Sequence, residues 1–503
     1  MKAFCFALTI LCAVQGILAF PRPDFGINGA VSGSAGVRAA VVELNTEITK
    51  VGAGTYTSTS GFTTLTAIGN ALMTIGDSIV ATSGALATSL DLLASDSNGP
   101  VATVFNTAIG KIDDLVSLLD SAFNGMIPII NTNTNQQYIN RQFTDAFTAT
   151  KTTLGRLKTA LNTLKTNVES ARTAAGSSPT VSAAIIRARI PARSVNNVIA
   201  EIRNLRANMP LITFVIDSSL ENLRVIDSFI VDMKAEIEEG ATRYTTSVDA
   251  FKLNVEAEGV AVNTKLGLGI GSSVSSIISS ISSDLSTNED FNNVLTPKLN
   301  ALNEAITSTL STKQGEITSH FGTYKDNVPN LITNLVDVFA ESLCAPIKSV
   351  SLVQIANGGF SDFCFSKFSP RVFAQISLTL DAFDVCFERE VSRLISFEGL
   401  ILELAIQISY NTADLLENLS ACLSMPDDAQ RGTCYAMLTP YYNILASKVD
   451  NYLTKISTLV AAETAASYNR VGACLHVSLS ETALSAMQIT SAADSCLTTG
   501  PVV

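Results

Sequence analysis

Phe143, Phe147, Thr150, Leu154, Leu157, Leu161, Leu164, Val168 and Ala171 are separated by alternating steps of four and three residues. Only an α-helix returns residues at that spacing to one face, so this stripe predicts a helix of about eight turns with one side committed to a core. A second stripe runs Ile216, Leu220, Leu223, Ile226, Ile230, Met233, Ile237, and a third runs Leu295, Leu299, Leu302, Ile306, Leu310 with Ile317 beyond it. A fourth, Ile332, Leu335, Phe339 and Leu343, ends beside Cys344. No comparable stretch sustains the strict alternation of a half-buried strand. The pattern predicts an all-α chain built as elongated antiparallel helical bundles of coiled-coil character.

Proline and glycine punctuate the pattern at Gly99-Pro100, Pro179, Ile190-Pro191, Met209-Pro210 and residues 267–273. Pro100, Pro210 and Pro297 are placed to open helices, because proline in a first turn sacrifices no helix hydrogen bond. The run Asn131-Thr132-Asn133-Thr134-Asn135 reads as a polar loop between two apolar helices. Three helical segments are expected: 26–207 and 208–340, both free of cysteine, and a cysteine-rich domain over 341–498. The Ser-rich stretch 272–286 and the Ala/Ser/Thr-rich stretch 66–95 are alike in composition, without an alignment that makes them a repeat.

The cysteines are the second constraint. Cys5 and Cys12 lie in an apolar run, residues 3–14, that follows Met1-Lys2 and precedes Gly16, Ala19, Pro21 and Pro23. Such a run is too short to span a bilayer and has the layout of an export signal, taken here as residues 1–19, with cleavage after Ala19 or Gly16 equally defensible. The seven others, Cys344, Cys364, Cys386, Cys422, Cys434, Cys474 and Cys496, all fall in the last third. An exported chain of this kind is expected to be extracellular and stapled by disulfides at its C-terminal end.

Cys422 and Cys434 bracket residues 425–432, which hold Pro426 to stop one helix and Gly432 to relax the chain before the next. That turn can bring the two Cα atoms to about 5.5 Å, so these cysteines are predicted to pair. Cys364 to Cys386 and Cys474 to Cys496 share a step of 22 residues; pairing within each step and pairing across steps both remain open. Seven is odd, and Cys344, the outermost, is assigned as the free thiol. No second membrane segment is expected: residues 394–408, read as the most apolar later stretch, carry Glu398 and Glu403. The C-terminal residues 498–503 lack a lipid-anchor tail. A single glycosylation sequon, Asn418-Leu419-Ser420, precedes Cys422. Exposure of that helix end would permit modification, and the neighbours Leu415, Leu416 and Leu419 would bury it.

A net charge of −12 excludes a general nucleic-acid binder, which would meet a repelling phosphate backbone. Tryptophan is absent, and only 16% of residues are charged. Against the acidic whole, residues 151–206 hold ten Lys or Arg (Lys151, Arg156, Lys158, Lys165, Arg172, Arg187, Arg189, Arg193, Arg203, Arg206) and only Glu169 and Glu201 as acids. Such a stretch either contacts anionic lipid, glycan or a microbial surface, or pairs with acidic neighbours in its own bundle; pairing is the plainer expectation. The chain has two histidines, His320 and His476, neither with a metal-spaced partner. His476 lies two residues from Cys474, a cysteine expected to be oxidised. Residues 267–271 have the glycines of a phosphate loop without its lysine. No catalytic set, cofactor or metal site is expected.

In the C-terminal third the cysteines sit in Phe363-Cys364-Phe365, Val385-Cys386-Phe387, Ala421-Cys422, Thr433-Cys434, Ala473-Cys474-Leu475 and Ser495-Cys496-Leu497, on alanine- and serine-rich helices. This arrangement resembles the insect TsetseEP-type secreted proteins over residues 344–498, without the Glu-Pro repeat tail that names them. The resemblance implies an insect extracellular protein of gut, haemolymph or gland. Two functions are expected from different classes: a structural or interaction protein, gut- or immune-related, that meets an extracellular protein, glycan or microbial surface; or a carrier of lipid or another apolar ligand on amphipathic helices.

Overall fold

A computed structural model describes residues 24–500 except 97, 98, 287, 288 and 290. The expected export signal, residues 1–19, lies outside the described residues, as do the side chains of Ile332 and Leu335. Helix accounts for 89% of the structure. Among the described residues there is no strand, only an isolated bridge between Asp24 and Ile27. The helices are α1 (Ser34–Val51), α2 (Thr63–Ser95), α3 (Val101–Ser117), α4 (Met126–Thr134), α5 (Tyr138–Ala174), α6 (Ala183–Arg189), α7 (Ala192–Leu266), α8 (Ser273–Leu285), α9 (Thr296–Ile355), α10 (Ser361–Leu423) and α11 (Asp428–Thr499).

Every member of the first stripe is buried on α5. The second stripe is followed on α7 as far as Met233, but Ile237 is exposed and the buried face passes to Gly240, Tyr244 and Val248. Steps of four bring these residues round because an undistorted helix turns in 3.6 residues and drifts away from a strict seven-residue repeat.

Prolines interrupt the helices less than expected. Pro210 lies inside α7, Pro329 and Pro346 inside α9, Pro370 inside α10 and Pro440 inside α11. Each removes one backbone bond, and packing along helices of 60 to 75 residues outweighs that loss. Pro100 does stand at the N-cap of α3, and Pro297 in the first turn of α9. The polar run 131–135 is not a loop either: it is the end of α4, stopped where Asn135 adopts φ 53°, a left-handed conformation asparagine tolerates.

The chain divides into two compact units. One comprises the described parts of residues 1–234, 348–369 and 492–503; the other comprises 235–347 and 370–491. The expected boundaries at 207/208 and 340/341 fall inside α7 and α9, so neither coincides with a unit boundary. Both units draw on α7, α9, α10 and α11, since sequentially distant helices are what supply each with a closed apolar core.

The first unit has a core of Leu44, Ile48, Leu72, Ile75, Leu157 and Leu161. A polar network sits beside it. Asn357, at φ 51° in the turn after α9, donates to Ser218 Oγ at 3.0 Å and Ser219 Oγ at 3.1 Å, and accepts at Oδ1 from Asn222. Gln354 in turn donates to Asn222 Oδ1 and Asp362 Oδ1, both at 2.8 Å. In the second unit Phe251 stacks on Phe387 at 4.8 Å between centroids, and Tyr324 donates an edge to the same cluster.

Among the described residues, three helical stretches are long and apolar enough to cross a membrane by length and composition: Thr63–Ser95, Ala192–Ser283 and Asp337–Ile355. By length and composition they run against the expectation that no second membrane segment is present; residues 394–408, with Glu398 and Glu403, are not among them. In α2 the hydropathy comes from Leu, Ile, Val, Met and Ala, diluted by Gly, Ser and Thr, and Asp77 and Asp91 are its only charges. One face of α2, from Leu65 through Leu72, Ile79 and Leu86 to Leu93, is packed against protein.

Candidate functional site

The cysteines assemble on α10 and α11. Cys364 pairs with Cys496 in the first unit, across 132 residues of chain; Cys386 pairs with Cys474 in the second, across 88. In both pairs the Cα atoms are 5.9 Å apart. The equal 22-residue steps are therefore closed across, as two rungs between antiparallel helices. Cys422 pairs with Cys434 over 12 residues at a Cα separation of 5.6 Å. Cys344 is a free, exposed thiol on α9.

The turn at that last staple is shorter than the sequence indicates. The helix resumes at Asp428, with the Asp427 carboxylate accepting from Ala429 N at 3.1 Å, so Gly432 lies within α11 and relaxes nothing. Arg431 pairs with Asp428 and donates to Met425 O at 2.6 Å, which ties the turn to the new helix.

Asn418 is exposed on α10, while Leu416 and Leu419 beside it are fully buried. The sequon thus faces outward, and it lines a groove of about 400 Å³ in the second unit. On the α10 side the groove is formed by Asn411, Asp414 and Asn418; on the α11 side by Tyr441, Lys448 and Tyr452. Tyr441, Ile444 and Tyr452 are 55%, 51% and 45% exposed, an aromatic and aliphatic surface unusual on a chain with so few rings.

Four of the ten basic residues pair with carboxylates within their own unit. Lys151 pairs with Asp120, Lys158 with Asp113, Lys165 with Glu169 and Arg206 with Glu43. Arg172 donates to Ser178 O, and Arg187 to Ala183 O. Arg156, Arg189, Arg193 and Arg203 face outward.

His320 and His476 are not brought together with catalytic partners. His476 is exposed, and Cys474 is in its disulfide, so no thiolate stands beside the imidazole. Among the described residues no three His, Cys, Asp or Glu side chains converge as a metal site would require. Residues 267–272 form a π-helical turn, with Gly269 against Ala405 and Gly271 against Leu310. Those glycines serve close helix packing, not phosphate.

Two charged clusters had no signature in the sequence. Asp227 on α7 accepts from Ser58 Oγ at 2.7 Å, from Thr59 N at 2.6 Å and from Ser60 N at 3.1 Å. Burial pushes its carboxyl upward, but the bonds from Ser60, Thr59 and Ser58 outweigh burial and hold it well below the usual carboxylate range. Glu390, 2% exposed, takes a forked contact from Arg470, with Nε at 3.1 Å from Oε1; Arg470 also reaches Glu463 at 2.6 Å. Bonding to Glu390 first, and to Glu463, raises the Arg470 pKa against the lowering effect of burial. The first joins α7 to the loop before α2 and the second joins α10 to α11, both between stretches remote in sequence, which no local pattern encodes.

Comparison with protein-family models, with curated proteins and with solved structures returns no match.

Proposed function

We propose that this chain is a secreted extracellular protein that works as a structural or interaction module through its helical surfaces. The observation that carries the reading is the set of three disulfides on α10 and α11, which suits an oxidising compartment. The apolar run at residues 3–14 supports export, and the TsetseEP-like placement of cysteines over 344–498 supports an insect gut, haemolymph or gland setting with an immune-related role. On this reading its partner is an extracellular protein, a glycan or a microbial surface. The reading assigns no catalysis and no cofactor, and it takes the three apolar helices as packed elements of the bundle.

A second reading, a carrier of lipid or another apolar ligand, is favoured by exposed Leu211 and Phe214 on α7 in the first unit and by exposed Leu253 and Val260 in the second. Organic extraction of native protein followed by mass spectrometry separates the two: stoichiometric lipid supports the carrier, and lipid-free protein supports the interaction module. Expression of the full chain in insect cells tests export. The expected result is protein in the medium with its N-terminus at residue 17 or 20; protein retained in the membrane fraction with residues 1–19 intact would overturn it.

A further inference from the structure

The asparagine of the chain's single glycosylation sequon, Asn418, forms part of the wall of the groove between α10 and α11. The Asn418 amide folds back along its own helix, Nδ2 donating to Asp414 O at 2.8 Å. Helical side chains lean toward the N-terminus. Nδ2 therefore lies on the Asp414 side of the exposed Asn418 side chain, at the wall of the groove. A glycosylated asparagine keeps one N–H as a donor, and the sugar takes the place of the other hydrogen.

The Cys422–Cys434 staple sets the register of the facing helix. Tyr441, seven residues after Cys434, stands opposite Leu415, seven residues before Cys422, and so within a turn of Asn418. Tyr452 is eleven residues further along α11, about 16 Å at 1.5 Å per residue. A saccharide of several rings attached at Nδ2 is long enough to run along that span. Its chemistry matches the wall. The C–H faces of pyranose rings pack on the electron-rich faces of Tyr441 and Tyr452. Asp414 accepts from hydroxyls, Lys448 donates to them, and Asn411 does both.

We propose that an N-linked oligosaccharide on Asn418 lies in the groove between α10 and α11 and covers Tyr441 and Tyr452. The proposal rests on the export reading, because the sugar donor, a polyprenyl-diphosphate-linked oligosaccharide, is met only on that route. In the transfer the Nδ2–C1 bond forms and the C1–O bond to the diphosphate breaks. The diphosphate leaves with the electron pair, and one Nδ2 proton passes to base. The attached sugar turns an exposed apolar strip into a hydrated one, which keeps that strip from associating with itself.

The test uses the full chain secreted from insect cells. Peptide mass mapping reads occupancy at Asn418, and tyrosine iodination compares the intact glycoprotein with the same protein trimmed by an endoglycosidase that leaves one N-acetylglucosamine. The expected result is a glycan on Asn418, with iodination of Tyr441 and Tyr452 rising severalfold on trimming while exposed Tyr410, outside the groove, is unchanged. Exported protein with bare Asn418 overturns the proposal and leaves the export reading standing. A glycan whose removal changes neither tyrosine overturns it as well. Failure of export sinks the export reading instead; the chain then carries a heterologous leader, and the same two measurements decide the proposal.

Discussion

At the scale of single residues, Asp227 converts a local loop into a pH-sensitive contact. Its folded-state pKa lies below the ordinary 3.8, so the carboxylate contributes stability that is fully present above about pH 4 and is lost as pH falls below it. Asp227→Asn is expected to lower the melting temperature at pH 7 and to flatten its acid dependence between pH 4 and 2. Parallel curves for the two proteins over that range would contradict the account. Glycines make a second residue-scale test, because two of them sit in helices for opposite reasons. A Cβ on Gly259 would come within 2.9 Å of Phe321, whereas one on Gly84 would meet nothing within 4 Å. Gly259→Ala should destabilise by about 1–3 kcal/mol through overpacking. Gly84→Ala should stabilise by up to about 1 kcal/mol through helix propensity. Denaturant titration of both variants reads the signs, and equal shifts would show that close packing at Gly259 matters little.

At the scale of elements, helix identity was legible and helix length was not. The stripe from Phe143 to Ala171 announces α5 because burial on one face leaves a period that sequence preserves. Pro210 reads as a break that opens a helix because proline's cost is local, whereas the packing that offsets it inside α7 comes from helices far away in the chain; Pro329, Pro346, Pro370 and Pro440 are carried inside helices in the same way. The same separation hid the Glu390–Arg470–Glu463 cluster, whose members lie on α10 and α11. Arg470→Met leaves the buried Glu390 without its main partner and should cost about 3–5 kcal/mol. Replacing both, Glu390→Leu with Arg470→Met, should recover most of that loss. A double variant as unstable as the single one would mean that the cluster does more than compensate a buried charge. The candidate site divides in the same way. The sequon at Asn418 and the Cys422–Cys434 staple were visible locally, while the groove wall supplied by Tyr441 and Tyr452 appears only once α11 is laid against α10.

At the scale of the whole molecule, the structure divides into two units built from interleaved stretches of chain, an organisation that consecutive segments read from breaks and cysteine content do not describe. Cysteine content marks where cross-links occur, not where cores close, and long helices let one element serve two cores. The two long-range disulfides follow from this arrangement, each stapling one unit. In the chain-entropy account, loops of this size stabilise by about 4–5 kcal/mol, against roughly 2–3 kcal/mol for the short Cys422–Cys434 loop. The spacing of 22 residues could not choose between the two pairings, because both satisfy it; antiparallel α10 and α11 select the crossed one. Non-reducing peptide mapping of the exported protein, alkylated before digestion, tests this most directly. The account predicts Cys364 linked to Cys496, Cys386 to Cys474 and Cys422 to Cys434, with Cys344 as the alkylated thiol. Recovery of Cys364 linked to Cys386, or of all seven cysteines alkylated, would contradict it.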